Sequence, residues 1–177
     1  MTEKGTKLGL SLDLEDYKYD ARDCVGCAGC KWVDFIYMPG WDFSWKCPPW
    51  QKYQYDAYGA CGKMKIAHDL LGDRLEYSSP TLPQIVYACT LCGACDIGCK
   101  RNLDLEPQLL LESLRAKVVK EGVGPMPQHQ AISDNITKTR NRYGRSQAER
   151  LNWLPRGVKP AEKAEMLYFV GCRASLA

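Results

Sequence analysis

The chain has 177 residues, with 24 Lys and Arg against 21 Asp and Glu, and 45% of its residues are hydrophobic. These values are typical of one domain, or of a small domain with an extension, and the even charge does not indicate nucleic-acid binding. The ten cysteines are the anomaly. Because the N-terminus lacks an apolar signal core and no stretch reaches the roughly 18 apolar residues of a membrane span, we expect a cytoplasmic protein, membrane-associated at most through partners. In that compartment clustered cysteines bind metal or perform redox chemistry more often than they form disulfides.

Three helices are predicted between the N-terminal segment and residue 123. Residues 1–22 are interpreted as a tail or docking strand. The stretch GKMKIAHDLLGD from Gly62 has apolar residues at helical spacing, followed by a glycine stop signal. A short helix is predicted to start at Thr81, an N-cap residue, and to run into a group of cysteines. The strongest helix prediction is LEPQLLLESLRAKVVKEG, with Pro107 in its first turn and Gly122 at its end.

The C-terminal part is less regular. Gly and Pro at 124–127 break the helical pattern, and the basic stretch NITKTRNRYG is interpreted as a solvated surface. Ser146 and Glu149 have capping-box spacing and predict the start of another helix. A continuous apolar run at 166–170 predicts a buried strand, which is the one good strand signal in the chain.

The motif that carries chemistry lies in the middle of the chain. Four cysteines follow C-x2-C-x2-C-x3-C spacing, and they are Cys89, Cys92, Cys95 and Cys99. This run is typical of a [4Fe–4S] cluster, although Lys100 replaces the usual final proline. Two intervening residues let a tight loop direct consecutive thiolates at different irons. The fourth cysteine of such a run usually binds the other cluster of a two-cluster protein, so a second triplet is expected.

A second triplet is present near the N-terminus, and a Cys47–Pro48 pair follows it at a distance. Together the two runs predict two [4Fe–4S] clusters with crossed ligands. The first cluster is predicted on Cys24, Cys27, Cys30 and Cys99. The second cluster is predicted on Cys89, Cys92, Cys95 and Cys47.

Other metal sites fit the sequence less well. Zinc also binds thiolates, but zinc sites pair C-x2-C knuckles and often include histidine, whereas these cysteines form triplets. The two histidines are interpreted as a structural helix residue, His68, and a loop or helix-start residue, His129. A radical S-adenosylmethionine site needs a cysteine at position 102, which is Asn102. The sequence contains neither a phosphate loop nor a dinucleotide fingerprint.

Two features of the sequence have more than one interpretation. Cys61 is a candidate additional ligand, a redox thiol or a small packing residue. The aromatic residues between Cys30 and Cys47 either shield a cluster from water and so tune its reduction potential, or form a small core for a long loop. These residues are Trp32, Phe35, Tyr37, Trp41, Phe43 and Trp45.

Two cysteine triplets separated by helices resemble the α-helical ferredoxin domain of the heterodisulfide reductase D-like, CCG-domain iron–sulfur family. The sequence YFVGC, which ends at Cys172, resembles the opening of the CCG module that follows this domain in the family. The stretch from Trp45 to Pro107 is most similar to a subgroup in strictly anaerobic complexes, such as the heterodisulfide reductase D-like component of tungsten-type benzoyl-CoA reductases. The family's module continues with further cysteines that this chain lacks, so Cys172 is a candidate ligand without an assigned role.

The resemblance implies a mainly α fold. The expected architecture is an α-helical ferredoxin domain with two [4Fe–4S] clusters, plus the first strand of a truncated C-terminal α/β module of the CCG type. The expected parts are a tail at 1–22, the two-cluster domain at 23–122, a linker and helical extension at 123–165, and the incomplete module at 166–177.

The implied function is that of an electron-transfer component in a multi-subunit anaerobic redox complex. Its expected partners are a flavin-containing heterodisulfide reductase A-like or electron-transfer flavoprotein-like protein and other iron–sulfur proteins of the complex. The alternative is the N-terminal part of a catalytic heterodisulfide reductase-type protein, whose thiol/disulfide site and a further cluster lie in the missing module. No catalytic residue is predicted in this chain.

Overall fold

Helices provide nearly all the regular structure of the chain, whose residues 11–33 and 40–176 are described by a computed structural model. The α-helices are α1 (Lys18–Asp23), α2 (Pro48–Tyr53), α3 (Ala60–Leu71), α4 (Leu82–Ala88), α5 (Ala94–Leu103), α6 (Pro107–Lys120), α7 (Pro127–Thr139) and α8 (Cys172–Leu176). Short 3-10 helices lie at Leu14–Tyr17, Trp41–Phe43, Asp56–Tyr58 and Gln147–Leu151. The chain divides into two compact units, Met1–Gly124 and Pro125–Ala177. No helix in the described ranges is long and apolar enough to cross a membrane.

The first unit is built around α3 and α6, which pack against each other. Met64 and Leu70 on α3 and Leu110 and Leu114 on α6 are each at most 3% exposed. These positions follow the apolar spacing from which both helices were predicted. Burying a side chain of this size stabilises the fold by about 1.5–3 kcal/mol relative to leaving it exposed. The same core positions the cysteine-bearing loops, which adjoin these two helices.

The described part of the N-terminal segment belongs to this core, which corrects its interpretation as a tail. Leu14 and Ala21 are 1% and 0% exposed, and α1 packs against α3. Leu14, Tyr17 and Ala21 are three and four residues apart, which is helical spacing. This weak periodicity was the available signal, and the many charged residues between the three positions obscured it.

The three helices predicted around the core are confirmed, with small differences at their ends. The helix predicted from Gly62 begins two residues earlier, with Gly59 as its N-cap, and Gly72 ends it as expected. Thr81 is the N-cap of α4, but its side chain makes no capping hydrogen bond. Pro107 occupies the first turn of α6, where proline is favoured because the first helical N–H groups have no partner within the helix.

The second unit contains α7, the 3-10 helix Gln147–Leu151 and α8. The sequence analysis did not predict α7, and none of the residues of this helix is buried. The predicted capping box is present: the Ser146 hydroxyl accepts from the Ala148 N–H at 3.3 Å, and Glu149 accepts from the Ser146 N–H at 3.0 Å. It begins a 3-10 helix rather than an α-helix.

The predicted buried strand at 166–170 is wrong. Met166, Leu167 and Phe169 are 87% to 94% exposed, and the segment has no strand conformation. A strand requires a hydrogen-bonded neighbour, and the described residues of the second unit supply none. In the described part of the chain the one β-bridge lies in the first unit, between Trp32 and Trp45.

Candidate metal centres

The two cysteine triplets lie on loops with the same backbone pattern. We call residues 24–30 the first loop and residues 89–95 the second loop. In each loop the second and fourth residues after the first cysteine are left-handed. These residues are Gly26, Ala28, Leu91 and Gly93, with φ of +72°, +67°, +54° and +74°. Left-handed backbone is unfavourable for residues other than glycine, so its repetition at Ala28 and Leu91 indicates that both loops hold a shape required by a site.

Helix α5 begins in the second loop and carries Cys99 to the first loop. The two segments meet closely at Gly98, where an added β-carbon would lie 3.1 Å from the carbonyl oxygen of Gly29. Cys99 is 8% exposed. Burial, followed by the proximity of Cys24 and Cys27, raises the pKa of the Cys99 thiol to about 11. The structure therefore places Cys99 near two cysteines of the first loop.

The segment before Cys47 pairs with the segment after the first loop. The carbonyl oxygen of Lys31 accepts hydrogen bonds from the N–H groups of Lys46 at 3.0 Å and Cys47 at 3.3 Å. The Val33 N–H donates to the carbonyl oxygen of Ser44 at 2.8 Å. The chain between the first triplet and Cys47 thus turns back on itself, which returns Cys47 to the same region of the molecule.

Cys47 lines the same cavity as the second loop. The walls of this cavity include Pro49 and Leu111. The cysteines that line it are Cys30, Cys47, Cys89, Cys92 and Cys95. Burial, followed by the carboxylate of Asp96, raises the pKa of Cys95 to about 12, and burial also raises the pKa of Cys47. Uncharged thiols are therefore strongly favoured here unless a metal supplies compensating positive charge.

The donor set fits [4Fe–4S] clusters. Thiolates are soft ligands, and each predicted site would be supplied by a triplet loop and one cysteine from another segment. No group of three His, Cys, Asp or Glu side chains in the described ranges is close enough to hold a single metal ion. A cube takes each thiolate on a different iron, so its sulfur ligands surround a volume and do not need to converge on a point. His68 lines a surface groove with Lys18 and Arg22, away from the cysteine cavity, and His129 lies in the first turn of α7.

Cys61 lies against the first site. At the start of α3, its backbone N–H donates to the sulfur of Cys30 at 3.3 Å. The contact with Cys61, together with burial, raises the pKa of Cys30, and the contact with Cys30 lowers the pKa of Cys61. Cys61 is therefore a neighbour of a candidate ligand. Cys172 lies in the second unit at the start of α8, where an Arg150 N–H donates to its sulfur at 3.5 Å.

The aromatic stretch is described in part. Trp32 and Trp45 form the β-bridge, and Trp45 packs on Trp50 of α2 with ring centroids 4.8 Å apart. Phe43 is 65% exposed and so buries neither a core nor a cluster. The residues Phe35 and Tyr37 and the side chain of Trp41 lie outside what the structure describes. The described tryptophans favour a structural role, which is to hold the turn that delivers Cys47.

Sequence reasoning missed two cations beside the second loop. Lys63 of α3 lines the cavity, is 1% exposed and donates from Nζ to the carbonyl oxygen of Tyr58. Arg115 of α6 donates to the carbonyl oxygen of Cys89. A signal for Lys63 was present, because it shares the apolar face of a predicted helix with Ala67 four residues later. A lysine on such a face is unusual, since charged side chains are rarely fully buried.

Comparison with known proteins defines the class. A family model of the 4Fe-4S dicluster domain matches residues 20–103, the segment that contains both loops, Cys47 and Cys99. No solved structure matches the chain. The chain is thus an iron–sulfur protein with a 4Fe-4S dicluster domain.

The curated relatives specify this class further. Over 156 residues, or 85% of the chain, it is 30% identical to the D subunit of the dihydromethanophenazine:CoB–CoM heterodisulfide reductase from Methanosarcina barkeri and 31% identical to that from Methanosarcina mazei. It is also 34% identical over 67 residues to the B subunit of the CoM/CoB fumarate reductase from Methanothermobacter marburgensis, covering 38% of the chain and 14% of that relative. The chain is a heterodisulfide reductase D-like iron–sulfur protein. It spans 37% of the length of the heterodisulfide reductase relatives.

Proposed function

We propose that this chain relays single electrons through two [4Fe–4S] clusters as one component of a larger reductase complex. The first cluster is proposed on Cys24, Cys27, Cys30 and Cys99. The second cluster is proposed on Cys47, Cys89, Cys92 and Cys95. The chemistry of electron storage belongs to the clusters, while the chain supplies thiolates, spacing and a partly dry environment.

The observation that carries the proposal is the exchange of one cysteine between the two loops. Cys47 lines the cavity of the second loop, and Cys99 is buried near Cys24 and Cys27 of the first loop. Cys30 also lines the second cavity, which supports a short separation between the two sites. Such proximity is what a one-electron relay requires.

The exposure of the candidate ligands supports one site at which electrons enter the chain and another at which they leave it. Cys27 at the first site and Cys92 at the second are exposed, whereas the other candidate ligands are buried or half-buried. Each site therefore has one thiol at the surface, where a partner can approach. We propose a flavoprotein of the heterodisulfide reductase A-like or electron-transfer flavoprotein-like type at one end and a further iron–sulfur protein or other acceptor at the other. A reducing cytoplasm suits this many thiols and is part of the proposal.

Metal analysis tests the proposal directly. Anaerobically purified protein is expected to contain about eight iron atoms and eight sulfides per chain, four of each for each of the two cubes, and to show cluster signals in electron paramagnetic resonance (EPR) after reduction. A content near two zinc ions without sulfide would contradict it and identify a zinc scaffold instead. Four iron atoms per chain would retain an iron–sulfur protein but exclude a two-cluster relay.

A second candidate function is favoured by the name and length of the heterodisulfide reductase relatives. The chain matches them over 37% of their length, and they are components of a heterodisulfide reductase. In this alternative the chain is the N-terminal part of a catalytic protein, with its thiol/disulfide site beyond residue 177. Translating the gene past Ala177 discriminates the two, because a CCG-containing repeat with further cysteines favours the catalytic role. Assaying disulfide reduction by the complete gene product then tests that function.

A further inference from the structure

Lys63 is the most deeply buried charged side chain among the described residues. It is 1% exposed, lies near the start of α3 and lines the cavity that contains Cys47 and Cys89. A buried ammonium group is unfavourable unless it is hydrogen-bonded and its charge is compensated. Its Nζ donates to the carbonyl oxygen of Tyr58, which satisfies one of its three donors. A second source of compensation is therefore expected.

Carboxylates of the described residues do not provide this compensation. None of the ion pairs that these residues form includes Lys63. Cys89 and Cys47 line the same cavity as Lys63, and their sulfurs become anionic when they bind a cluster. A positive Lys63 is thus expected when these cysteines are deprotonated and bind a cluster.

We infer that Lys63 is the positioning charge that raises the reduction potential of the second cluster. This inference rests on the proposed function. A cube with four thiolates is anionic, and reduction adds one electron without a proton, so a nearby buried cation stabilises the reduced form. Net charge and hydrogen bonding around a cluster are among the terms that set its potential.

The other charged groups at the second site modify this effect without removing it. Asp96 lies with Oδ1 3.8 Å from the sulfur of Cys95 and opposes reduction. Its carboxylate also accepts a hydrogen bond from the Gln108 N–H at 2.8 Å, which partly offsets its charge. Arg115 contributes a second cation through its hydrogen bond to the carbonyl oxygen of Cys89. Lys46 also lines this cavity, and of the three cations Lys46, Lys63 and Arg115 only Lys63 is buried.

The test is a redox titration of the full chain with its clusters, monitored by EPR, with dithionite as the one-electron donor. Lys63→Met removes the charge and the hydrogen bond, whereas Lys63→Gln removes the charge and keeps a donor for the Tyr58 carbonyl oxygen. Both variants are expected to lower the equilibrium constant for reduction of the second cluster by tenfold or more, which is about 59 mV for a one-electron couple. The first cluster is expected to change less. Cys27→Ser and Cys92→Ser variants assign the EPR signals to the two sites.

The matched control is Lys65→Met, which removes the same charge from the exposed face of the same helix. Its effect on the second cluster is expected to be well below tenfold. An unchanged second cluster in Lys63→Met, a wild-type potential in Lys63→Gln, or an equal shift in Lys65→Met overturns the inference. If the neutral variants fail to assemble the second cluster, its retention in Lys63→Arg supports a role for the charge, and its loss there overturns it. Wild-type protein without clusters would instead refute the proposed function.

Discussion

The two cysteine loops have the same backbone shape and different electrostatic surroundings. Each loop has a buried lysine beside it. Lys31 follows the first loop and its Nζ pairs with the Asp56 carboxylate at 2.7 Å, whereas Lys63 beside the second loop has no carboxylate partner among the described residues. The first site also receives the N–H of Cys61 on the sulfur of Cys30. The geometry of the two loops therefore positions the candidate ligands in the same way, while the neighbouring charged groups give the two sites different electrostatic environments.

The largest effect is expected from removing the ligands that cross between the loops. Cys99→Ser should abolish the first cluster and spare the second, because Cys99 lies near Cys24 and Cys27. Cys47→Ser should do the reverse, because Cys47 lines the second cavity. Each variant is expected to retain about four of eight iron atoms, since each cube contains four. Iron analysis and EPR of both variants provide the measurement.

The reciprocal pair contains its own control. If Cys99→Ser removes only the signal that Cys92→Ser also removes, the crossed assignment is wrong and each run binds its own cluster. Loss of all iron from both variants would show that the two clusters assemble together, and would remove the distinction between two separate sites.

Cysteine spacing predicted Cys47 beside the second loop and Cys99 near the first, where the structure places them, because a C-x2-C-x2-C loop and the helix after it constrain the directions of the sulfurs. The ligand assignment itself stays a prediction until the clusters are measured. Spacing could not predict the surroundings. Lys63 is buried by contacts with segments distant in the sequence, and the pairing of Lys31 with Asp56 joins residues 25 positions apart.

The mistaken interpretations have the same physical origin. The apolar run at 166–170 indicated a strand, yet a strand forms only where a neighbour accepts its hydrogen bonds. The N-terminal segment was interpreted as a tail because its few apolar residues are separated by charges, yet Leu14 and Ala21 are buried by α3 and α6. In both cases the local pattern was real and the tertiary environment decided the outcome.

A smaller effect is expected from adding a β-carbon to one left-handed glycine in each loop. Gly26→Ala should destabilise the first loop by about 1–2 kcal/mol, the ordinary cost of left-handed backbone for an L-residue, because no atom of the described residues lies within 4 Å of the added carbon. Gly93→Ala should cost more, because the added carbon also meets the side-chain oxygen of Gln108. The urea midpoint of anaerobic protein, followed by circular dichroism, measures both.

A third glycine variant provides a control for this prediction. Gly40→Ala is the control, since its φ is not left-handed and no atom of the described residues lies within 4 Å of its added carbon. It is expected to leave the midpoint nearly unchanged. If Gly26→Ala behaves like Gly40→Ala, the left-handed shape of the first loop is not required, and the two loops are not equivalent.

The smallest effect is expected from removing the carboxylate that pairs with Lys31. Asp56 accepts from Lys31 Nζ at 2.7 Å and from the indole N–H of Trp50 at 3.1 Å, so it joins the end of the first loop to α2 beside Cys47. The Asp56 side chain is 67% exposed, so solvent screens the pair. Asp56→Asn is therefore expected to lower the free energy of unfolding by about 0.2–1 kcal/mol at neutral pH.

The pH dependence of this effect has a definite sign. The hydrogen bonds from Lys31 and then Trp50 hold the pKa of Asp56 below its ordinary value of 3.8 in the folded protein. A depressed folded pKa stabilises the fold above the ordinary value, and this contribution is lost as the pH falls through the folded pKa. The difference in the free energy of unfolding between wild type and Asp56→Asn should thus be constant from neutral pH to about pH 5 and shrink below pH 4.

Lys31→Met should show the same loss of stability, and the double variant should lose little more, because each substitution removes the same pair. Additive losses in the double variant would show that Lys31 and Asp56 act separately. The ion pair of Lys31 would then no longer be a difference between the first loop and the second loop, where Lys63 has no carboxylate partner among the described residues.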